Sequence, residues 1–392
     1  AQFKTIARRN IQILSSRPIG RHSTAVAAQP AACRSNEMTR PTQHYKLGGD
    51  YLNQQRRIIM TIKVLGIDLG KQFFHIYAVD RRGKLVVRKK LNRKQLLNFL
   101  SNIEPCLIGM EACGGSHYWA RKAKEFGHTA KLISAKFVKP YLKSNKNDFL
   151  DAEAISEAVQ RPNMRFVTAR TPEQQTIGAQ VKLRESFISQ RNAAINQVHG
   201  FMLEFGIEYP KGKRTLLRLP QILAEHEGEI PASMIVMLYR IVDEYRFLCE
   251  QLSDLEGEMQ ALVSADDRGR RLLEMQGVGL ITAACLLAWV GDARQFKSGQ
   301  DMAAWIGLVP KQYSTGGKTT LLGIGKRGHR RLRCILIHGA RSSLQWPIDK
   351  PSRWSEWAKE LKMRKAPNVV AVAMANKMAR MAWVILARNE RY

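Results

Sequence analysis

Apolar residues in the first half of the chain come in short runs with a period near two, whereas further on they recur every three or four positions. The runs TIKVLGID (61–68), FFHIYAVD (73–80) and LVVRKKL (85–91) predict three strands joined by short turns, with Arg81-Arg82-Gly83 as a hairpin turn. LLNFLSNI predicts a helix and CLIGME a buried strand that ends on Glu111. HYWARKAKEFG then predicts an amphipathic helix closed by Gly127, and TAKLIS a further strand. From about Thr171 to Asp266 helical periodicity dominates, interrupted by the YPKGK break at 209–213. Within that region Leu238, Ile241, Tyr245, Leu248, Leu252, Leu255, Met259 and Leu262 follow steps of three and four, the pattern of a coiled-coil seam. Such a seam serves either as a dimerisation arm or as the buried face of a helix in the chain's own bundle. The stretch LLEMQGVGLITAACLLAWVGD predicts two helices pivoting on Gly277-Val278-Gly279, and closing helices run from about Ala366 to the end.

Three strands in meander followed by helix, strand, helix and strand is the order of a ribonuclease-H-like α/β sheet. The fold expected is that α/β domain over 60–167, a helical coiled-coil or linker region over 168–266, and a mostly α-helical C-terminal domain over 267–392. The last would carry a helix-hairpin-helix-like element at Gly277 and Gly279, where glycine lets backbone amides at a helix N-terminus approach a phosphate.

Charge narrows the partners. The chain has 63 basic and 33 acidic residues among 392, a net charge of +30, which attracts polyanions and makes nucleic acid the leading partner. An apolar content of 45% with seven tryptophans is enough for sizeable cores. Lys377 and Arg380 cut the most apolar C-terminal stretch short of the ~20 uninterrupted apolar residues of a membrane span, so no membrane partner is expected. The six cysteines are scattered without zinc spacing and read as reduced thiols of a cytoplasmic protein. Residues 1–59 are Arg-rich, hold only Glu37 and Asp50 as acids, and lack apolar periodicity. They read as a disordered or over-extended segment, with the protein proper starting near Met60.

Against this basic background, four acids stand out: Asp68 and Glu111 at strand ends, and Asp148 and Asp151 three apart at a helix start. Four carboxylates brought to one point repel one another, and the resident that offsets them is a pair of Mg²⁺ ions ~3.5 to 4 Å apart. Each acid alone has a plainer role, such as a helix cap or a surface charge. No acid occurs between Asp301 and Asp349, where Lys318, Lys326, Arg327, Arg330, Arg331, Arg333 and Arg341 crowd together, as phosphate contacts would. His329 in that run is a candidate proton shuttle or further phosphate contact. No G-x-x-x-x-G-K-[ST] nucleotide loop is present.

The segments GIDLGKQFFHIYAVD, MEACGGSHYWA and NDFLDAEAISEAVQRPNMRFV resemble the RuvC-like N-terminal domain of the bridge-RNA-guided insertion-sequence transposases. GVG, GLVPKQYSTGGK and GIGKRGHRRLR resemble the serine-bearing second domain of the same family, in the same order. The resemblance implies that Asp68, Glu111, Asp148 and Asp151 form the acidic catalytic set. It also implies that a serine of the second domain attacks the DNA phosphate and becomes covalently linked to it. Of the two places where that serine could stand, this chain has Gly325 at the second, which leaves Ser314 as the candidate nucleophile, with Tyr313 as a lesser competitor. Further implications are DNA as substrate, a guide RNA, a homo-oligomer (dimer or tetramer) with a composite site, and a bacterial nucleoid setting. Two rivals are a RuvC-type junction endonuclease, which has no use for Ser314, and a non-catalytic architectural nucleic-acid-binding protein.

Overall fold

The computed structural model describes residues 62–143, 147–345 and 353–391. Every described residue belongs to one compact unit. The expectation for residues 1–59 and for a start near Met60 lies outside the described residues.

The sheet has six strands: β1 (Val64–Leu69), β2 (Phe73–Val79), β3 (Leu85–Asn92), β4 (Leu107–Glu111), β5 (Thr129–Ile133) and β6 (Phe166–Val167), in the order β3-β2-β1-β4-β5-β6. The first three form an antiparallel meander, β1, β4 and β5 run parallel, and β6 pairs antiparallel with β5. Central β1 is buried over its first four residues, as a strand covered on both faces must be. The β2–β3 turn forms where expected: Asp80 Oδ1 accepts from the amides of Arg82 (2.8 Å) and Lys84 (2.9 Å), and Gly83 takes φ +77°.

Helices α1 (Arg93–Asn102) and α2 (Ser116–Glu125) share one core with the sheet through Leu96, Leu100, Trp119 and Ala120. After the short α3 (Ala135–Val138), helix α4 (Asp148–Val159) packs Ala154, Ile155, Ala158 and Val159 with Val64, Val79 and Ile133 in a separate core. The α1 helix begins three residues earlier than its apolar pattern suggests, because Asn92 and Gln95 close a reciprocal capping box there.

Two long helices follow, α5 (Pro172–Leu203) and α8 (Ala232–Ala265), with short α6 (Lys213–Leu217) and α7 (Leu219–Glu225) between them. Ile177 and Val181 share a core with Leu255, Met259 and Val263, while Ala194, Val198 and Met202 share another with Leu238, Val242 and Tyr245. The pair is therefore antiparallel, and the α8 seam is buried in its own chain. Val242 and Val263 take the places expected for Ile241 and Leu262, because an α-helix of 3.6 residues per turn drifts off a strict heptad.

The C-terminal region is mostly helical: α9 (Asp267–Leu273), α10 (Leu280–Trp289), α11 (Gly299–Ile306), α12 (Arg330–Gln345), α13 (Arg353–Arg364) and α14 (Pro367–Arg388). One element departs from the expectation. The Ser-Thr-Gly-Gly stretch belongs to an exposed β-hairpin, β7 (Pro310–Thr315) and β8 (Lys318–Ile324), whose two turn glycines take φ +56° and +76° as a two-residue hairpin turn requires. By length and composition α14 could cross a membrane. Its apolar stripe, including Val370, Met374, Met378 and Ile385, is instead buried in the C-terminal core.

Candidate active site

Glycine sets the geometry of the acids. Gly66 of β1 and Gly109 of β4 are paired in register. A Cβ on Gly66 would press on the Ala152 carbonyl and lie 2.6 Å from the Ser156 amide, and one on Gly109 would lie 2.8 Å from Val159 Cβ. Helix α4 thus rests on bare backbone at both strands. Side chains two residues along a strand share a face, so Asp68 and Glu111 project on the side that α4 covers. Asn147 caps α4, accepting from the Phe149 amide at 2.9 Å, and puts Asp148 and Asp151 in its first turn, where the helix dipole favours negative charge.

The cluster is electrostatically tense. Burial pushes the Glu111 carboxyl above its ordinary range, and the Asp151 charge adds to the rise. The Cys113 thiol is likewise pushed up, first by burial and then by Glu111 and Asp68. Ligand atoms of Asp68, His75 and Asp148 all lie within 4.8 Å of one another. Such a group can hold a metal ion, and its two carboxylates suit a hard one.

His75 is absent from the sequence-derived set. It is buried, stands opposite Asp68 in the β1–β2 register, and holds its Nδ1 3.5 Å from Asp148 Oδ2. Phe149 meets the imidazole edge-on at 4.7 Å, with the Arg88 guanidinium 4.5 Å from the Phe149 ring centre. The signal was present: pairing Leu69 with Phe74 across the tight turn puts residue 75 against residue 68.

Ser314 lies in β7, and its hydroxyl accepts from Gln312 Nε2 (2.8 Å) and shares a hydrogen bond with Thr319 Oγ1 (3.2 Å), both on the same hairpin. Tyr313 beside it is exposed. Lys318, Lys326, Arg327 and Arg330 are exposed, and Lys326 takes the left-handed φ of +52°. Two arginines of the run depart from the expected phosphate role. Arg333 is buried and donates to the Ile306 carbonyl at 3.1 Å, closing the C-terminus of α11, where a cation offsets the helix dipole. Arg331 pairs with Glu185 of α5 and lies 5.1 Å over the Trp289 ring. Gly277 and Gly279 also differ from each other. Gly277, at φ +81°, meets Gly339 and Ser343 of α12 closely, whereas Gly279 caps α10 and has open space around it. Both line an open cleft of about 380 Å³ with Thr282 and His338.

His329 is a packed, neutral imidazole rather than a surface contact. It lies 5.3 Å from Trp289 and 5.6 Å from Trp305, and burial, followed by the Arg170 charge, lowers its pKa from 6.5 to about 4. His117 is lowered to about 4 by burial, then by Arg170 and Arg121. As pH falls below 6.5 the unfolded chain takes up protons that the folded chain refuses until about 4, so this contribution to stability is present above pH 6.5 and lost between 6.5 and 4. Thermal melts across that window are expected to fall with pH, and His329→Gln should flatten part of the slope. An unchanged slope in that variant would rule out a neutral His329.

Residues 65–207 match the transposase family DEDD_Tnp_IS110, and residues 269–354 match the transposase IS116/IS110/IS902 family. The transposase for insertion sequence element IS1328 of Yersinia enterocolitica is 45% identical over 328 residues, spanning 84% of this chain and 98% of its own length. The chain belongs to the IS116/IS110/IS902 family of transposases. A probable family 20 transposase of Pseudomonas aeruginosa is 43% identical over 335 residues (85% of this chain, 99% of its own), and the transposase for IS1111A of Coxiella burnetii 39% over 340 (86% and 93%). Family membership makes this an insertion-sequence transposase, with DNA as its substrate and phosphoryl transfer as its chemistry.

Proposed function

We propose that the chain excises and inserts its mobile element by cutting and rejoining DNA, with Asp68, Glu111, Asp148 and Asp151 holding divalent metal, Mg²⁺ in two copies, and Ser314 as nucleophile. The observation that carries this reading is the seating of α4 on Gly66 and Gly109, which brings its two first-turn aspartates over the strand ends that bear Asp68 and Glu111. The division proposed is a RuvC-like, ribonuclease-H-like domain over 60–167, a helical region over 168–266 and the serine-bearing domain over 267–392.

The donor set fits a hard divalent cation: carboxylates on three elements, one already raised in pKa by burial and a neighbouring acid, and His75 within reach of two of them. Bound metal would supply charge neutralisation on the phosphate and a more acidic nucleophile. The chain's own residues do the rest. His75 steadies Asp148, the α4 dipole tolerates the paired aspartates, and Lys318, Lys326, Arg327 and Arg330 hold phosphates around Ser314. Ser314 Oγ bonds to phosphorus as the bond from phosphorus to a sugar oxygen breaks, and the freed sugar hydroxyl takes the proton. The phosphoester bond is conserved in the serine link, so rejoining needs no nucleotide cofactor. Guidance by an RNA is part of this proposal, supported by the family and by the +30 charge. So is a homo-oligomer, supported by exposed Val236, Met237 and Phe247 on α8.

The test is a covalent-adduct assay with donor DNA, target DNA, RNA and Mg²⁺. Ser314→Ala is expected to lose the protein–DNA adduct and all strand exchange while binding DNA as before. Cleavage that persists without the adduct would point to junction endonuclease chemistry instead. Omitting the RNA should remove target choice.

A further inference from the structure

Strand β3 forms one edge of the sheet and carries a basic run, Arg88-Lys89-Lys90. Register decides which of these cations reach the face that bears the acids. Directly opposite residues of an antiparallel pair share a face, and in the meander Asp68 stands opposite His75 and His75 opposite Lys90. Arg88, two residues before Lys90, stands opposite Tyr77 on that same face. One row across β1, β2 and β3 thus reads acid, imidazole, cation, with Lys90 two strand spacings, roughly 10 Å, from Asp68.

Each cation rests on an aromatic ring. Lys90 Nζ lies 4.4 Å from the centre of the Phe73 ring, and Arg88 Cζ 4.5 Å from that of Phe149. Phe149 follows Asp148 and meets His75 edge-on at 4.7 Å, and His75 Nδ1 is 3.5 Å from Asp148, so a continuous set of contacts joins Arg88 to the acid cluster. Two further acids of α4 are engaged by other bases, Glu153 by Lys143 at 2.6 Å and Glu157 by Arg161 at 2.7 Å. Helix α4 packs on β1, β2 and β4, while Arg88 and Lys90 stay exposed on the edge strand.

A lysine stem can cover a ring merely to shield it from water. Phe73 nonetheless remains 47% exposed, beside the tight β1–β2 turn and on the same face as His75. An open ring flanked by cations is the arrangement that holds a single strand, because bases stack on the ring while phosphates meet the charges. A base inside a duplex is already stacked on its neighbours and must leave them to reach such a ring. The substrate of this family is DNA, and the row points from the shelf to the acids.

We infer that Phe73, Arg88 and Lys90 form a single-strand subsite, with one DNA base stacked on Phe73 and the adjoining phosphates held by Arg88 and Lys90, that leads the strand into the acid cluster. This rests on the proposal that Asp68, Glu111, Asp148 and Asp151 act on DNA. The three residues position the strand and take no part in the chemistry.

The test is a salt titration of full-chain binding to random-sequence single-stranded DNA in metal-free buffer, repeated with single-stranded RNA of the same length. Each phosphate contact on a single strand contributes about 0.7 to the slope of log K against log salt, so Arg88→Gln combined with Lys90→Gln should lower the slope for DNA by about 1.4. Phe73→Leu keeps apolar bulk but removes the ring, and should weaken DNA binding by roughly tenfold with the slope unchanged. A general loss of folding would not separate charge from stacking in this way. Arg88→Lys combined with Lys90→Arg should keep the wild-type slope. Lys122→Gln, on α2 against the other face of the sheet and paired with Glu125, is the control, with wild-type slope and affinity. A wild-type slope in the double glutamine variant, or wild-type affinity in Phe73→Leu, would overturn the inference and leave the transposase reading intact. Losses confined to RNA would also overturn it, assigning the shelf to a guide instead. Should the double variant fold poorly, Lys90→Gln alone decides the same question with an expected drop of about 0.7. A wild-type chain that binds neither probe would sink the nucleic-acid reading itself.

Discussion

Asp68→Asn is expected to reduce strand exchange by roughly 10³-fold or more, because several kcal/mol of charge stabilisation at about 1.4 kcal/mol per tenfold would be lost with that ligand. The substitution keeps the shape of the side chain and removes only its charge. The metal-free protein should therefore stay folded and even gain stability, since one carboxylate leaves a cluster in which burial and the Asp151 charge already push the Glu111 carboxyl up. The rise in Tm that added Mg²⁺ gives the wild type should shrink or vanish in the variant. DNA binding in the absence of metal should be unchanged. A variant that recombines at the wild-type rate would remove Asp68 from the site.

The second large effect comes from a residue with no side chain. Gly66→Ala puts a methyl against the Ala152 carbonyl and 2.6 Å from the Ser156 amide, both backbone atoms of α4 that no rotamer change can move. Overpacking of this kind costs about 1–3 kcal/mol, and a shift of about 1 Å in α4 would cost roughly 10²-fold in rate by misplacing Asp148 and Asp151. Gly200→Ala is the matched control. That glycine lies inside α5, where an added methyl would meet nothing within 4 Å, so alanine there should raise the melting temperature slightly and leave exchange alone. If Gly66→Ala melted and recombined like the wild type, α4 would not be seated on β1 as described.

Much of the sheet domain was legible because its signals are local. Buried runs such as VLGI and CLIGM can only be inner strands, and acids that end them are visible without any tertiary knowledge. Asp148 and Asp151 were readable for the same reason, being three apart at a capped helix start. What escaped was relational. His75 matters through its strand register with Asp68, which hydropathy does not encode. The charge run around Arg333 gave no hint that one of its members is turned inward to close α11. The β7–β8 hairpin was missed because it buries nothing, and so lacks the alternation that betrays a strand. On α8 the seam was correct in its middle and slipped by one residue at Val242 and Val263, where geometry overrides the heptad.

The hairpin has a consequence for the host cell. Its twin strands hydrogen-bond to each other and both are exposed along their length, and a two-stranded ribbon standing by itself is only marginally stable in water. A hydroxyl mounted there, held only by Gln312 and Thr319 of the same ribbon, would be aimed more firmly by a neighbour lying against it. If Ser314 is the nucleophile, a solitary chain drifting along the chromosome carries a blunt instrument, sharpened only at a site where the full set of partners has gathered. Restraint of that kind would let a mobile element persist without shredding the genome that copies it.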